Sequence, residues 1–248
     1  MADETPQACY SQYEAYVSQI IKTEDLSSFK SNNSYTYMLE HVTKDDGSKY
    51  LKLLKELLTD SEIESFCNLN DSLGNPTRFT YANNIVCSPT SLRYLYHAHL
   101  ALKHIQQKKL SDIVEIGGGY GGLYLAIDFL SKKYRFKINS YHIIDLKNIT
   151  ILQKLYTSKF HTEIPLFVSD ASLFGNDIDK TNLFLISNYC FSEIPKDLQY
   201  KYIEILFPKV LHGFITWNHK YTYNFGFSYT EEDEIPYTGL KFNKFIRF

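Results

Sequence analysis

The ten residues Ile113-Val114-Glu115-Ile116-Gly117-Gly118-Gly119-Tyr120-Gly121-Gly122 constrain the fold more than any other segment of the chain. They hold five of its eleven glycines. An apolar run carrying one acid enters a glycine turn, and Leu123-Tyr124-Leu125-Ala126-Ile127 then resumes with helical character. Glycine admits positive φ and lets main chain approach a ligand closely, and a helix N-terminus offers unpaired N–H groups. The segment predicts a strand, a tight turn and a helix that together cradle a nucleotide-like ligand.

The rhythm after residue 112 extends this unit. Strands are expected at Asp112–Ile116, Ile138–Asp145, Pro165–Asp170, Leu183–Asn188 and Phe214–Trp217, with helices at Gly121–Lys132, Asn148–Phe160 and Pro195–Leu206. Alternation of this kind gives parallel strands joined by crossover helices, hence an open, Rossmann-like α/β sheet. Near the end, Tyr221–Tyr229 and Lys241–Phe248 read as two strands with no helix between them, an antiparallel pair closing the sheet. Upstream, Tyr10, Tyr13, Val17, Ile20 and Ile21 recur at helical spacing, and Tyr50 to Leu58 and the segment from Asp60 also read as helices, with Asp60 a possible cap. Ser88-Pro89 opens a long helix whose inner face would carry Leu92, Leu95, Tyr96, His99 and Leu102. The expected organisation is a helical N-terminal cap or lid over residues 1–87 and an α/β core over 88–248.

Composition narrows the partners. A net charge of −2 with scattered lysine and arginine lacks the clustered basic face that nucleic acid binding requires. No apolar run approaches the roughly 20 residues of a membrane span, and the first residues lack a secretory pattern. Cys9, Cys67, Cys87 and Cys190 form neither a CxxC pair nor a zinc spacing, which points to reduced thiols in a cytoplasmic setting.

Gly117, Gly119 and Gly122 satisfy the dinucleotide pattern G-x-G-x-x-G, and Glu115, Gly117, Gly119 and Gly121 equally satisfy E-x-G-x-G-x-G. A dinucleotide site needs a second mononucleotide-binding half, which the antiparallel ending does not provide. S-adenosylmethionine has no pyrophosphate, and its parts match three acids at strand ends. Glu115 suits the cationic end. Asp145 suits a ribose diol, because a carboxylate accepts two hydrogen bonds. Asp170, followed by Ala171, suits the adenine amine. Each acid has a plainer role: bracing the loop for Glu115, capping the next helix for Asp145 and Asp170.

Glu115 to Gly122, Ile143-Ile144-Asp145-Leu146 and Leu185-Ile186-Ser187-Asn188-Tyr189-Cys190-Phe191-Ser192-Glu193 resemble the sugar O-methyltransferases, a branch of the class I, Rossmann-like methyltransferases. Ser88 to Tyr94 and the Trp217-Asn218 strand exit are similar to that branch as well. The likeness covers roughly residues 80 to 220, and its Ser-Asn-x-x-Phe-Ser-Glu exit is the more specific part. It implies a seven-stranded sheet with an antiparallel last strand, S-adenosylmethionine as methyl donor and a carbohydrate acceptor. One departure is that Asn218 to Glu234 reads as loop where the family carries a helix. Composition and the glycan branch together suggest an enzyme of a large virus, working in the host cytoplasm.

Methyl transfer to a sugar hydroxyl needs alignment and a base beside the methyl group. His219, just past the fifth strand, and Glu193, at a helix start, are the catalytic candidates. Asn188 is placed for the cofactor, Tyr189 for the acceptor, and Arg93 for the acceptor or the cofactor carboxylate. Asp170, Asn188, Glu193 and His219 are also of metal-ligand type, though their spacing is not diagnostic. Three rivals stay open: a nicotinamide-dependent oxidoreductase, a non-catalytic scaffold on a methyltransferase core, and a methyltransferase with a non-sugar acceptor.

Overall fold

The computed structural model describes residues 6–218, 221–238 and 242–248. Its centre is a seven-stranded sheet of β1 (Asp112–Ile116), β2 (Ser140–Asp145), β3 (Leu166–Asp170), β4 (Leu183–Asn188), β5 (Val210–Trp217), β6 (Thr230–Asp233) and β7 (Lys244–Arg247), in the order β3-β2-β1-β4-β5-β7-β6. Strands β1 to β5 are parallel, and β7 runs antiparallel to both β5 and β6. The strand order reverses between β1 and β4, where open α/β sheets leave a crevice beyond the strand ends. The glycine turn leaves β1 at that point.

Seven helices of two or more turns are described: α1 (Pro6–Thr23), α2 (Lys44–Leu54), α3 (Asp60–Asp71), α4 (Pro89–Lys108), α5 (Gly122–Tyr134), α6 (Lys147–Thr157) and α7 (Lys196–Ile205). Local chemistry sets their starts. Ser88 caps α4, its hydroxyl accepting from Ser91 N, with Pro89 at the first position. The cap of α3 is Thr59 rather than Asp60: its hydroxyl accepts from Glu62 N while the Glu62 carboxylate accepts from Thr59 N, a reciprocal pair that Asp60, one residue late, cannot make.

Period-two alternation sorts the strands onto two layers. Ile113, Tyr141, Ile143, Phe184 and Ile186 face the N-terminal helices with α4, α5 and α6, in one continuous apolar core. Val114, Ile116, Ile144, Leu183, Leu185 and Trp217 face α7 and the aromatic C-terminal segment. Leu92, Leu95, Tyr96 and Leu102 are buried along α4 as expected, while His99 is half-buried with Nδ1 2.7 Å from Tyr134 Oη.

The C-terminal pair differs from expectation. Tyr221–Tyr229 forms no strand, and the partner of β7 is the charged stretch Thr230–Asp233. Alternating aromatics imitate a strand signal here because the rings pack on one another: Phe225 lies 5.4 Å from Trp217 and 4.6 Å from Tyr223 between ring centroids, and Gly226 turns the chain at φ +86. Strand β6 has no buried residue, so hydrophobic periodicity cannot reveal it, and its acids suit an exposed sheet edge. Among the described residues, no helix is long and apolar enough to cross a membrane.

Candidate functional site

Gly117, Gly119 and Gly121 all have positive φ, at +76, +55 and +96. Gly117 N donates to Ile144 O at 2.9 Å, which ties the turn to the end of β2. The main chain threads a tight passage: a Cβ on Gly117 would stand 2.2 Å from Cys190 Sγ, and one on Gly118 2.6 Å from Ile143 Cγ2. Gly121 is the N-cap of α5.

Two acids flank the turn. Glu115 is 2% exposed on the N-terminal-helix face of β1, and the Tyr141 hydroxyl donates to its Oε2 at 2.9 Å. Burial pushes its carboxyl up to about 8, with nearby Asp145 adding to the effect. Asp145 ends β2, where Oδ1 accepts from Leu146 N at 2.8 Å and Oδ2 from Gln153 Nε2 at 2.9 Å. Burial pushes it up to about 7, opposed by these donors. Gln153 Nε2 also reaches Gly119 O at 2.9 Å, so α6 holds both the acid and the turn. Two carboxylates in low-dielectric surroundings, each with acceptor capacity left, are costly alone and suited to a ligand rich in donors or positive charge.

Glu115, Gly117, Gly118, Gly119 and Asp145 line one end of a cavity of about 400 Å³. The other end is lined by Tyr50 of α2, Arg93 and His97 of α4, Asn188 at the end of β4, Tyr189 and Glu193 beyond it, Asn218 beyond β5, and Thr238 and Asn243 between β6 and β7. Thr216 Oγ1 donates to Asn188 Oδ1 at 2.7 Å, and Asn218 Nδ2 to Glu193 Oε1 at 2.6 Å. Tyr189 has φ +62, a conformation uncommon outside glycine. Its hydroxyl donates to Glu234 Oε1, and Glu234 Oε2 accepts from Thr238 Oγ1 at 2.9 Å and Asn243 Nδ2 at 2.8 Å. The Arg93 guanidinium lies 5.4 Å from the Tyr189 ring centre and donates to Leu39 O at 3.3 Å. His97 is buried and neutral at pH 7, pushed down to about 3 by desolvation and by Arg93.

The cavity thus gathers Glu115, Gly117, Gly119, Asp145, Asn188, Arg93, Tyr189 and Glu193. Gly121, Asp170 and Ala171 are not among its lining residues. Asp170 Oδ1 accepts from Ser172 N at 2.9 Å as the cap of a short 3-10 turn, and this hydrogen bond holds its carboxyl below the usual range. His219 lies outside the described residues. Among those described, no group of three or more His, Cys, Asp or Glu gathers as a metal site. Sequence reasoning missed Tyr50, His97, Gln153, Glu234, Thr238 and Asn243. His97 carried a signal, one turn beyond Arg93 on the same helix. Gln153 reaches back from α6, the helix directly after Asp145, and the others come from irregular segments or a remote helix.

No family model matches the chain, and no curated protein matches it. Solved structures with a similar fold include the methyltransferase domain of bacterial CtHen1-CN, at 12% identity over 61% of this chain and 96% of that one, TM-score 0.48. Phosphoethanolamine N-methyltransferase 1 of Haemonchus contortus, solved with phosphoethanolamine and S-adenosylhomocysteine, aligns over 88% of this chain and 34% of its own at 11% identity, TM-score 0.40. The glycopeptide N-methyltransferase MtfA, complexed with sinefungin, aligns over 56% of each chain at 11% identity, TM-score 0.38.

Proposed function

We propose that this chain is an S-adenosylmethionine-dependent O-methyltransferase that methylates a sugar hydroxyl of a glycan or nucleotide sugar. The observation that carries this reading is the glycine turn, closed to any Cβ at Gly117 and Gly118 and flanked by Glu115 and Asp145, in one cavity with a polar, aromatic-lined second end. The fit to the cofactor rests on the donor and acceptor set. Asp145 would accept from the ribose hydroxyls, Glu115 would face the cationic portion, and main chain at Gly117 to Gly119 would hold the methionine moiety. The sheet supports a mononucleoside over a dinucleotide: antiparallel β7 stands where a second mononucleotide-binding half would continue.

When bound, the cofactor supplies an electrophilic methyl group. The protein's part is to place an acceptor oxygen in line with it and to take the hydroxyl proton. Glu193, steadied by Asn218, is the first candidate base, and His219, next in the chain after Asn218, is the second. That base would hold the acceptor hydroxyl and take its proton as the methyl group is transferred to the oxygen. Tyr50 and Tyr189 offer ring faces, and Asn188, Asn243 and Thr238 offer polar groups, a combination suited to a polyol. The resemblance to the sugar O-methyltransferases supports the same acceptor class. Transfer of labelled methyl from S-adenosylmethionine to a panel of oligosaccharides and nucleotide sugars tests the reading. Incorporation into carbohydrate is expected, and incorporation only into protein or nucleic acid would contradict it.

A further inference from the structure

We infer that Lys30 is a positioning residue for the cofactor loop, a latch that joins the strap of residues 29–43 to the glycine turn so that the two open together when bound nucleoside exchanges. The inference rests on the cofactor reading proposed above.

Lys30 has no solvent exposure at all, a rare state for lysine. Its ammonium has three protons to place. Nζ donates to Asn70 O at 2.6 Å and to Tyr156 Oη at 2.9 Å, and it sits 4.2 Å from the ring centre of Tyr120. A buried ammonium satisfied by two hydrogen bonds and a ring face is anchored directionally, which greasy packing alone would not achieve.

The partner that matters is Tyr120, which stands inside the turn between Gly119 and Gly121 and is itself fully buried. Its hydroxyl accepts from Asn70 Nδ2 at 2.9 Å, so Asn70 and Lys30 hold the same ring from two sides. Tyr156 ties in the third element: it belongs to α6, one turn beyond Gln153, which grips Asp145 and Gly119. From Lys30 the strap runs on over the site. Met38, Leu39, His41 and Val42 line the cavity, and Leu39 Cδ1 lies 3.3 Å from where a Gly119 Cβ would stand. The strap is therefore the outer wall of the cofactor end and the turn its inner wall, and Lys30 fastens one to the other. A nucleoside enclosed between them leaves only when that fastening yields.

Lys30→Met keeps the length of the side chain and removes its three donors. The dissociation rate of S-adenosylhomocysteine should rise on the order of tenfold, and amide-exchange protection should fall together in residues 29–43 and 117–121 while β4 and β5 keep theirs. Leu54→Ala, a cavity in the α2 core away from the turn, should lower the melting temperature and leave the dissociation rate at the parental value. Tyr156→Phe, a milder loss of one partner, should act like Lys30→Met with smaller amplitude. The inference is overturned if Lys30→Met lowers the melting temperature but changes neither the dissociation rate nor exchange in the turn. It is overturned equally if Leu54→Ala speeds dissociation as much. A parent that does not bind S-adenosylhomocysteine would remove the function reading, and the exchange arm would still decide whether strap and turn open as one.

Discussion

At one end of the cavity, main chain from Gly117 to Gly119 lies between Glu115 and Asp145, each acid at the end of a neighbouring parallel strand. At the other end, Tyr50, Arg93, His97, Glu193, Asn218, Thr238 and Asn243 arrive from helices and strand exits spread over most of the chain. At the first end the turn and its two acids sit within a residue or two of a paired strand or a helix N-terminus, so their geometry is set locally. The second is assembled by long-range hydrogen bonds, such as those from Tyr189 to Glu234 and from Asn218 to Glu193. A site of this kind keeps its cofactor chemistry fixed while its acceptor specificity is set by side chains that other segments deliver.

The sharpest way to separate the ends is Glu193→Gln. If Glu193 takes the acceptor proton, methyl transfer slows by about 10²–10⁴-fold, while S-adenosylhomocysteine affinity, read by calorimetry, stays at the parental value. Full activity in this variant would move the base to His219. Gly117→Ala attacks the other end. Its Cβ would stand 2.2 Å from Cys190 Sγ at a φ of +76, so cofactor affinity should fall on the order of 100-fold. A circular-dichroism melt run alongside shows whether the fold survives.

A smaller contrast tests two acids that the sequence pattern treats alike. Asp145→Ala should cost about 1–3 kcal/mol of cofactor binding. Asp170→Ala, which removes a half-buried turn cap outside the cavity lining, should change affinity by less than about twofold. A Asp170 variant as damaged as the Asp145 one would place the adenine nearer β3 than the cavity does.

The smallest effect is on stability against pH. Glu115 at about 8 and Asp145 at about 7 are both raised above ordinary carboxyl values by burial, and Glu40, at about 7, behaves likewise. Through these three carboxyls the folded chain binds more protons than the unfolded chain between about pH 4 and pH 8. This stabilisation is complete below the unfolded values and is lost as pH rises through 7 and 8. The ligand-free melting temperature should fall across that window, and Glu115→Gln should flatten the fall.

The two ends also differ in how far the sequence discloses them. Turn, flanking acids and parallel strands were all legible because they lie in one contiguous segment whose glycines and periodicity have a single structural solution. Asp170 was legible both as a cofactor ligand and as a cap, and the sequence could not choose between them, since the direction of a side chain beyond a strand depends on the turn that follows. The acceptor end was half legible. Asn188, Tyr189, Glu193 and Arg93 reach the cavity, whereas Glu234 and Asn243 lie between β7 and β6, a strand with no buried residue and hence no hydrophobic periodicity to reveal it. Lys30 carried no signal, because nothing in its neighbourhood along the chain distinguishes a buried lysine from a solvated one.

Calorimetric titration of the folded protein with S-adenosylhomocysteine and, separately, with NAD⁺ tests the central claim most directly. Saturable one-to-one binding of S-adenosylhomocysteine, lost in Gly117→Ala and weakened in Asp145→Ala, with no heat from NAD⁺, is the predicted result. Binding of NAD⁺ in its place, or of neither ligand, would contradict it.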